Sequence, residues 1–177
     1  MLEAKSCFAK AEGYFFDGKY KNAVHEYFNV IRLNPKYVTA YVNLGNCYNK
    51  LKLYPEAEKS YSKAISLEPR SITAYYNRGI TRSLIGSLDK ALEDYTTAIN
   101  LNPNYAHIYI NRGNVKAKLH FYEEAIEDYS TALTLDSNYT EAYHNRGLAK
   151  LKLGKEQEAF EDIEKAFILK EKNNVKS

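Results

Sequence analysis

Apolar residues recur at intervals of three and four along almost the whole chain, as in Tyr20, Ala23, Val24, Tyr27, Val30 and Ile31. Strands need alternation at two, so the pattern predicts helices throughout. Residues 4–16 read as one helix and 20–33 as a second, with Gly18 in the turn between them. The pair then repeats at a fixed interval: Gly45 recurs at Gly79, Gly113 and Gly147, and Ala23 at Ala57, Ala91, Ala125 and Ala159. A constant period of this kind dictates the architecture before any other feature. Five units result, 4–37, 38–71, 72–105, 106–139 and 140–173, expected to form a single domain over 1–177 with a short tail at 174–177.

Punctuation supports the division. Gly86 and Gly154 mark the same inter-helix turn as Gly18, His120 stands there in the fourth unit, and Pro55 opens the second helix of the second unit. Units close on Asn34-Pro35, Glu68-Pro69, Asn102-Pro103 and Asp136-Ser137. There an Asn or Asp can cap the next helix, with Pro filling its first turn. A glycine inside a helix costs about 1 kcal/mol against alanine. Four such glycines therefore imply close approach by a neighbouring helix, and the recurrent alanine of the second helix is the expected partner. Tyr41, Tyr75, Tyr109 and Tyr143 on the first helices, with Tyr27, Tyr61, Tyr95 and Tyr129 on the second, fill the space between.

These residues resemble the tetratricopeptide repeat (TPR) family, whose pattern of aromatic, Leu-Gly, aromatic, Ala, aromatic, Ala and Pro is matched at every position by residues 41–69. Later units depart from it at Arg78, Arg112 and Arg146, where Leu is usual, and at Arg82, Lys116 and Lys150, where an aromatic is usual. The resemblance implies an all-α, right-handed superhelical solenoid of antiparallel helix pairs, its concave face lined by the first helices. It also implies a non-catalytic protein-interaction module.

Composition narrows the function. The chain carries 17 Tyr and no Trp, and its 25 basic and 22 acidic residues are mixed along it for a net charge of +3. No basic stripe suits nucleic acid, no apolar run is long enough to span a membrane, and no signal peptide opens the chain. Cys7 and Cys47 fall inside helices as small hydrophobes, which together with these absences leads to a cytoplasmic expectation. No phosphate loop, catalytic triad or unexplained carboxylate cluster stands out, so neither enzyme chemistry nor a cofactor is expected. His107 and His144 could begin a metal site but have no third ligand.

In the third, fourth and fifth units, Arg78, Arg112 and Arg146 are each followed at one constant spacing by Asp94, Asp128 and Asp162. Lys10 and Glu26 occupy those positions in the first unit, and the second loses both charges to Leu44 and Ser60. Charges that come and go together read as ion pairs within a repeat. Arg82, Lys116 and Lys150, one turn further on, read as solvated surface, with rim contacts to an acidic partner as the alternative.

The sharpest functional feature is an asparagine ladder, Asn43, Asn77, Asn111 and Asn145, central in helices where Asn has poor propensity. A carboxamide offers a donor and an acceptor, which matches the backbone of an extended peptide. In TPR proteins that bind extended peptides, Asn at this place contacts the ligand backbone, and the resemblance implies that role here. The alternative is that these residues hold neighbouring first helices together; the two are compatible. Tyr76 and Ile110 precede the ladder, and Asn46, Ile80 and Asn114 follow it, giving a peptide-binding surface of amides and apolar groups. The basic clamp of TPR domains that take chaperone C-terminal tails is missing, since its lysine positions hold Phe8, Val42, Tyr76, Ile110 or His144. A second function class is a scaffold or self-associating part of a larger protein. Phe160, Ile163 and Phe167 on the last helix favour it, because the largely polar tail KEKNNVKS after Leu169 is too short to cover them; homo-oligomerisation through this helix is the corresponding expectation.

Overall fold

A computed structural model describes residues 2–174. Ten helices run through the described residues: α1 Leu2–Phe16, α2 Tyr20–Leu33, α3 Val38–Lys50, α4 Tyr54–Leu67, α5 Ile72–Leu84, α6 Leu88–Leu101, α7 Ala106–Lys118, α8 Tyr122–Leu135, α9 Thr140–Lys152 and α10 Glu156–Asn174. No strand occurs among the described residues. The chain divides into two compact units, Met1–Lys90 and Ala91–Ser177, with the boundary early in α6. The part of the expected tail at 175–177 lies outside the described residues, and residue 174 still belongs to α10.

In the first unit α1 packs on α2, α2 on α3, α3 on α4 and α4 on α5, and the first helices α3 and α5 also touch. Its core joins Ala11, Ala23, Tyr27, Val30, Ala40, Leu44 and Cys47 in one cluster, and Val42, Ala57, Tyr61, Ala64 and Ala74 in another. In the second unit α7 packs on α8, α8 on α9, α9 on α10, and α7 touches α9. Tyr27, Tyr61, Tyr95 and Tyr129 are the largest fully buried side chains. Rings of this size dominate a core that otherwise runs to alanine. Burial pushes the Cys47 thiol up to about 12, so it is an inert core group.

The turns follow one rule. Gly18, Lys52, Gly86, His120 and Gly154 occupy the same position in successive repeats, and all adopt positive φ, between 59° and 78°. Only glycine takes that conformation without strain, so Lys52 and His120 hold it at a cost.

Two expectations about local chemistry are corrected. Asn34 and Asp136 do not cap the following helices. They are C-caps of α2 and α8, and the N-caps of α3 and α9 are Tyr37 and Tyr139 without side-chain hydrogen bonds. Their side chains, like that of Asn102, instead accept from the backbone N–H two residues on, at 3.2, 3.0 and 2.9 Å for Lys36, Asn104 and Asn138. The helical glycines, for their part, make room for more than alanine. A Cβ on Gly45 would lie 2.5 Å from the Tyr61 ring, and one on Gly113 2.8 Å from the Tyr129 ring. At Gly147 the alanine backbone is close, the Ala159 carbonyl standing 3.0 Å from the added Cβ beside Ile163 at 2.8 Å.

Candidate functional site

The space left by Gly45 lets Tyr61 lie across α3 and reach beyond it. Its hydroxyl donates to Asn46 Oδ1 at 2.7 Å, and Asn77 Nδ2 on α5 donates to the same oxygen at 3.0 Å. A second rung follows one turn on, where Asn49 Nδ2 donates to Tyr61 Oη at 3.1 Å and to Thr81 Oγ1 at 2.9 Å. The second unit repeats the first rung. Tyr129 Oη donates to Asn114 Oδ1 at 2.8 Å, and Asn145 Nδ2 on α9 donates there at 2.9 Å. Asn114 Nδ2 then donates to Glu141 at 3.1 Å. Each relay ties one second helix to two consecutive first helices. Burial raises both tyrosine pKa values well above the usual range, so both hydroxyls stay donors.

The ladder is therefore not four equivalent amides. Asn77 and Asn145 bridge first helices, as the structural alternative anticipates. Asn43 hydrogen-bonds Tyr27, whose pKa burial pushes up to about 12. Asn111 Nδ2 donates to the His107 carbonyl of its own helix at 3.1 Å. All four are half-buried, with Asn46, Asn114, Tyr76 and Ile80, while Ile110 is only 4% exposed and belongs to the core in this conformation. The Asn49–Thr81 rung was legible in principle: Thr81 is polar where other units have Cys47, Val115 and Ala149, and it is fully buried.

Each unit has a depression beside its relay. In the first, a pocket of about 150 Å³ is lined by Glu12, Phe15, Phe16, Tyr27, Asn43 and Asn46. In the second, an open cleft of about 410 Å³ is lined by Asn114, Ala117, Lys118, Tyr122, Tyr129, Asn145, Leu148, Ala149 and Lys152. Sequence reasoning passed over Lys118 and Lys152, although they hold the same place on the first helices of adjacent repeats.

The ion pairs form as the sequence suggests in the fourth and fifth repeats. Arg112 makes a two-pronged pair with Asp128 at 2.7 and 2.9 Å, and Arg146 with Asp162 at 2.6 and 2.8 Å. Each guanidinium also lies over a tyrosine of its own helix, Tyr109 or Tyr143, at 5.6 and 5.5 Å from the ring centre. The lysines expected in solvent are corrected. Lys116 reaches Asp128 at 2.9 Å and Lys150 reaches Asp162 at 2.8 Å, so each buried carboxylate holds two cations. Arg82 pairs with Glu58 of α4 at 2.8 Å. No ion pair joins Lys10 to Glu26 among the described residues, and Lys10 is exposed. These charges are spent inside the array, which leaves the amide clefts as the candidate recognition surface.

His107 is half-buried, its pKa lowered by burial, and His144 is exposed. Among the described residues, no group of three or more His, Cys, Asp or Glu could hold a metal ion, and no helix is long and apolar enough to cross a membrane.

Repeated helix pairs knit by side-chain relays, with open clefts beside them, define a repeat scaffold for protein–protein interaction. Family profiles agree: a tetratricopeptide repeat profile matches residues 38–71, a TPR repeat profile matches 14–52, 84–119 and 122–154, and a further tetratricopeptide repeat profile matches 140–173. The chain belongs to the tetratricopeptide repeat family. Among solved structures, it is similar to a crystal structure of MamA, at 28% identity over 93% of this chain and 96% of that one, TM-score 0.88. It is also similar to MamA 41-end from Desulfovibrio magneticus RS-1, at 19% identity over 96% of each chain, TM-score 0.90. YrrB, a TPR protein with an unusual peptide-binding site, aligns at 21% identity over 92% of this chain and 84% of that one, TM-score 0.78. Comparison with curated proteins gives no match.

Proposed function

We propose that this protein binds an extended peptide segment of a partner protein along its first helices, with the amide-lined clefts as anchor points. One observation carries the reading: the depressions beside the relays of both units are walled by the repeated asparagines, Asn43 with Asn46 and Asn114 with Asn145. The relays hold these amides in fixed rotamers, so a peptide backbone meets a pre-ordered surface and less side-chain entropy is lost on binding. Asn145 directs its N–H toward Asn114, which leaves its carbonyl oxygen to accept from a ligand N–H. Leu148, Ala117 and Tyr122 supply an apolar floor, and Lys118 with Lys152 favours an acidic or C-terminal group beside the anchored side chain. YrrB supports the reading only in that the same fold accommodates a peptide-binding site there.

The test uses two variants read against a peptide array and a thermal melt. Leu148 is 45% exposed and outside the relay, so Leu148→Glu should abolish peptide capture and leave the melt unchanged. Asn145→Ala should weaken both, since it removes a ligand contact and a helix bridge together. Peptide binding that survives Leu148→Glu refutes the cleft as the anchor.

A further inference from the structure

The second repeat lacks the charged cluster of the fourth, and the difference opens a space. In the second unit Arg112 rises from α7 between α6 and α8, donating to Thr96 at 3.2 Å and pairing with Asp128, with Lys116 beside it. The corresponding residues in the first unit are Leu44, Phe28, Ser60 and Tyr48. Leucine is too short to span the gap between α2 and α4. Ser60 turns back to its own helix, donating to the Glu56 carbonyl at 2.8 Å. A cleft of about 620 Å³ remains, floored by Ile31, Tyr41, Leu44 and Tyr48, with the half-exposed Phe28 ring at its lip. Its α4 wall carries Glu56, Lys59 and Lys63, all exposed, so the wall is net positive, and neither lysine is in an ion pair among the described residues.

The chain carries the complement of this cleft on α10. Phe160 and Phe167 are 61% and 64% exposed, Ile168 is 41% exposed, and Glu164 and Glu171 lie on the same stripe at helical spacing. Two turns of helix, about 10.5 Å, separate the phenylalanines and place the Glu164 carboxylate between them. We infer that the cleft of the second repeat receives α10 of a second copy of this chain, the Phe160–Phe167 edge entering the apolar floor while Glu164 meets Lys59 and Lys63. This is helix-in-groove recognition, with charge setting the orientation. The two surfaces are unlike, so a single contact leaves one cleft and one α10 free; a reciprocal second contact closes a dimer, and a one-way contact proceeds to rings or filaments.

Sedimentation velocity on the full chain up to about 1 mM tests this, with folding of each variant checked by circular dichroism. The wild type should self-associate with concentration, and less so at high salt. Leu44→Arg/Ser60→Asp rebuilds the charged cluster of the fourth repeat and fills the cleft; Phe160→Ser/Phe167→Ser blunts the helix edge. Each should weaken association at least about 10-fold, the loss expected from one buried ring or more. Mixed together, the two variants should form a pair that stops at 1:1, because one retains only α10 and the other only the cleft. Lys59→Glu/Lys63→Glu provides a surface variant that leaves the core untouched, and it should also weaken assembly, with partial recovery on adding Glu164→Lys. A wild type that stays monomeric, assembly indifferent to the Leu44/Ser60 change, or a mixture that does not pair overturns the inference.

Discussion

Substituting Gly45 by alanine opposes two effects of known size. Alanine in a helix interior is favoured over glycine by about 1 kcal/mol. Against this, the new Cβ would stand 2.5, 2.7 and 2.9 Å from three carbons of the Tyr61 ring. Carbon contacts are comfortable from about 3.5 Å, so the ring must retreat by about 1 Å. Overpacking of this kind costs about 1–3 kcal/mol. The retreat also breaks the 2.7 Å bond to Asn46, which is worth about 1 kcal/mol and anchors the link to Asn77. The expected net effect of Gly45→Ala is a loss of about 2 kcal/mol. Gly13 in α1 is the control, because a Cβ there meets nothing within 4 Å. Gly13→Ala should gain up to about 1 kcal/mol. Urea unfolding followed by far-UV circular dichroism would separate the two variants by about 3 kcal/mol. Tyr61→Phe should reduce the penalty of Gly45→Ala, since the hydrogen-bond share is already lost. Equal stabilisation by both glycine substitutions would refute the close-approach argument.

Other outcomes follow from the same geometry. Lys52 holds φ of 59° in a turn that three sibling repeats build with glycine, so Lys52→Gly should stabilise the chain by about 1 kcal/mol and raise its melting temperature. His120→Gly should gain less, because the imidazole Nδ1 shares a 2.7 Å hydrogen bond with the Tyr122 hydroxyl that would be lost. Asp162→Asn leaves Arg146 and Lys150 without their shared carboxylate and should cost about 3 kcal/mol in a chemical melt. For the Asp162 carboxyl, burial alone raises the pKa, but hydrogen bonds and charge from Arg146 and Lys150 outweigh it, and the net shift is below the ordinary 3.8. A depressed folded-state value means stability present above the ordinary carboxylate range and lost as pH falls through the folded pKa. Melts of the wild type should therefore decline below about pH 4 more steeply than those of Asp162→Asn.

The repeat length, the helix pairs and the turns were legible in the sequence because they are local. A constant period, apolar residues at three and four, and glycine in left-handed turns are set by backbone geometry and by which face each helix must bury. The Arg112–Asp128 and Arg146–Asp162 pairs were legible too, since comparison among repeats within one chain shows charges appearing and vanishing together. What one position does with several neighbours was not legible. Lys116 and Lys150 look like surface cations until the fold brings a buried carboxylate within reach.

The asparagine ladder divides along the same line. Sequence alone determined that Asn43, Asn77, Asn111 and Asn145 occupy one helical position at a cost in propensity, and so have a purpose. Only the tertiary structure decided where the amides go. Asn77 finds an acceptor on α3 because Gly45 lets Tyr61 cross that helix and orient Asn46, and Asn145 finds one on α7 by the same device. A hydrogen bond between consecutive first helices depends on how closely their backbones approach. That distance is set by packing across residues far apart in the chain, and no stretch of sequence encodes it locally.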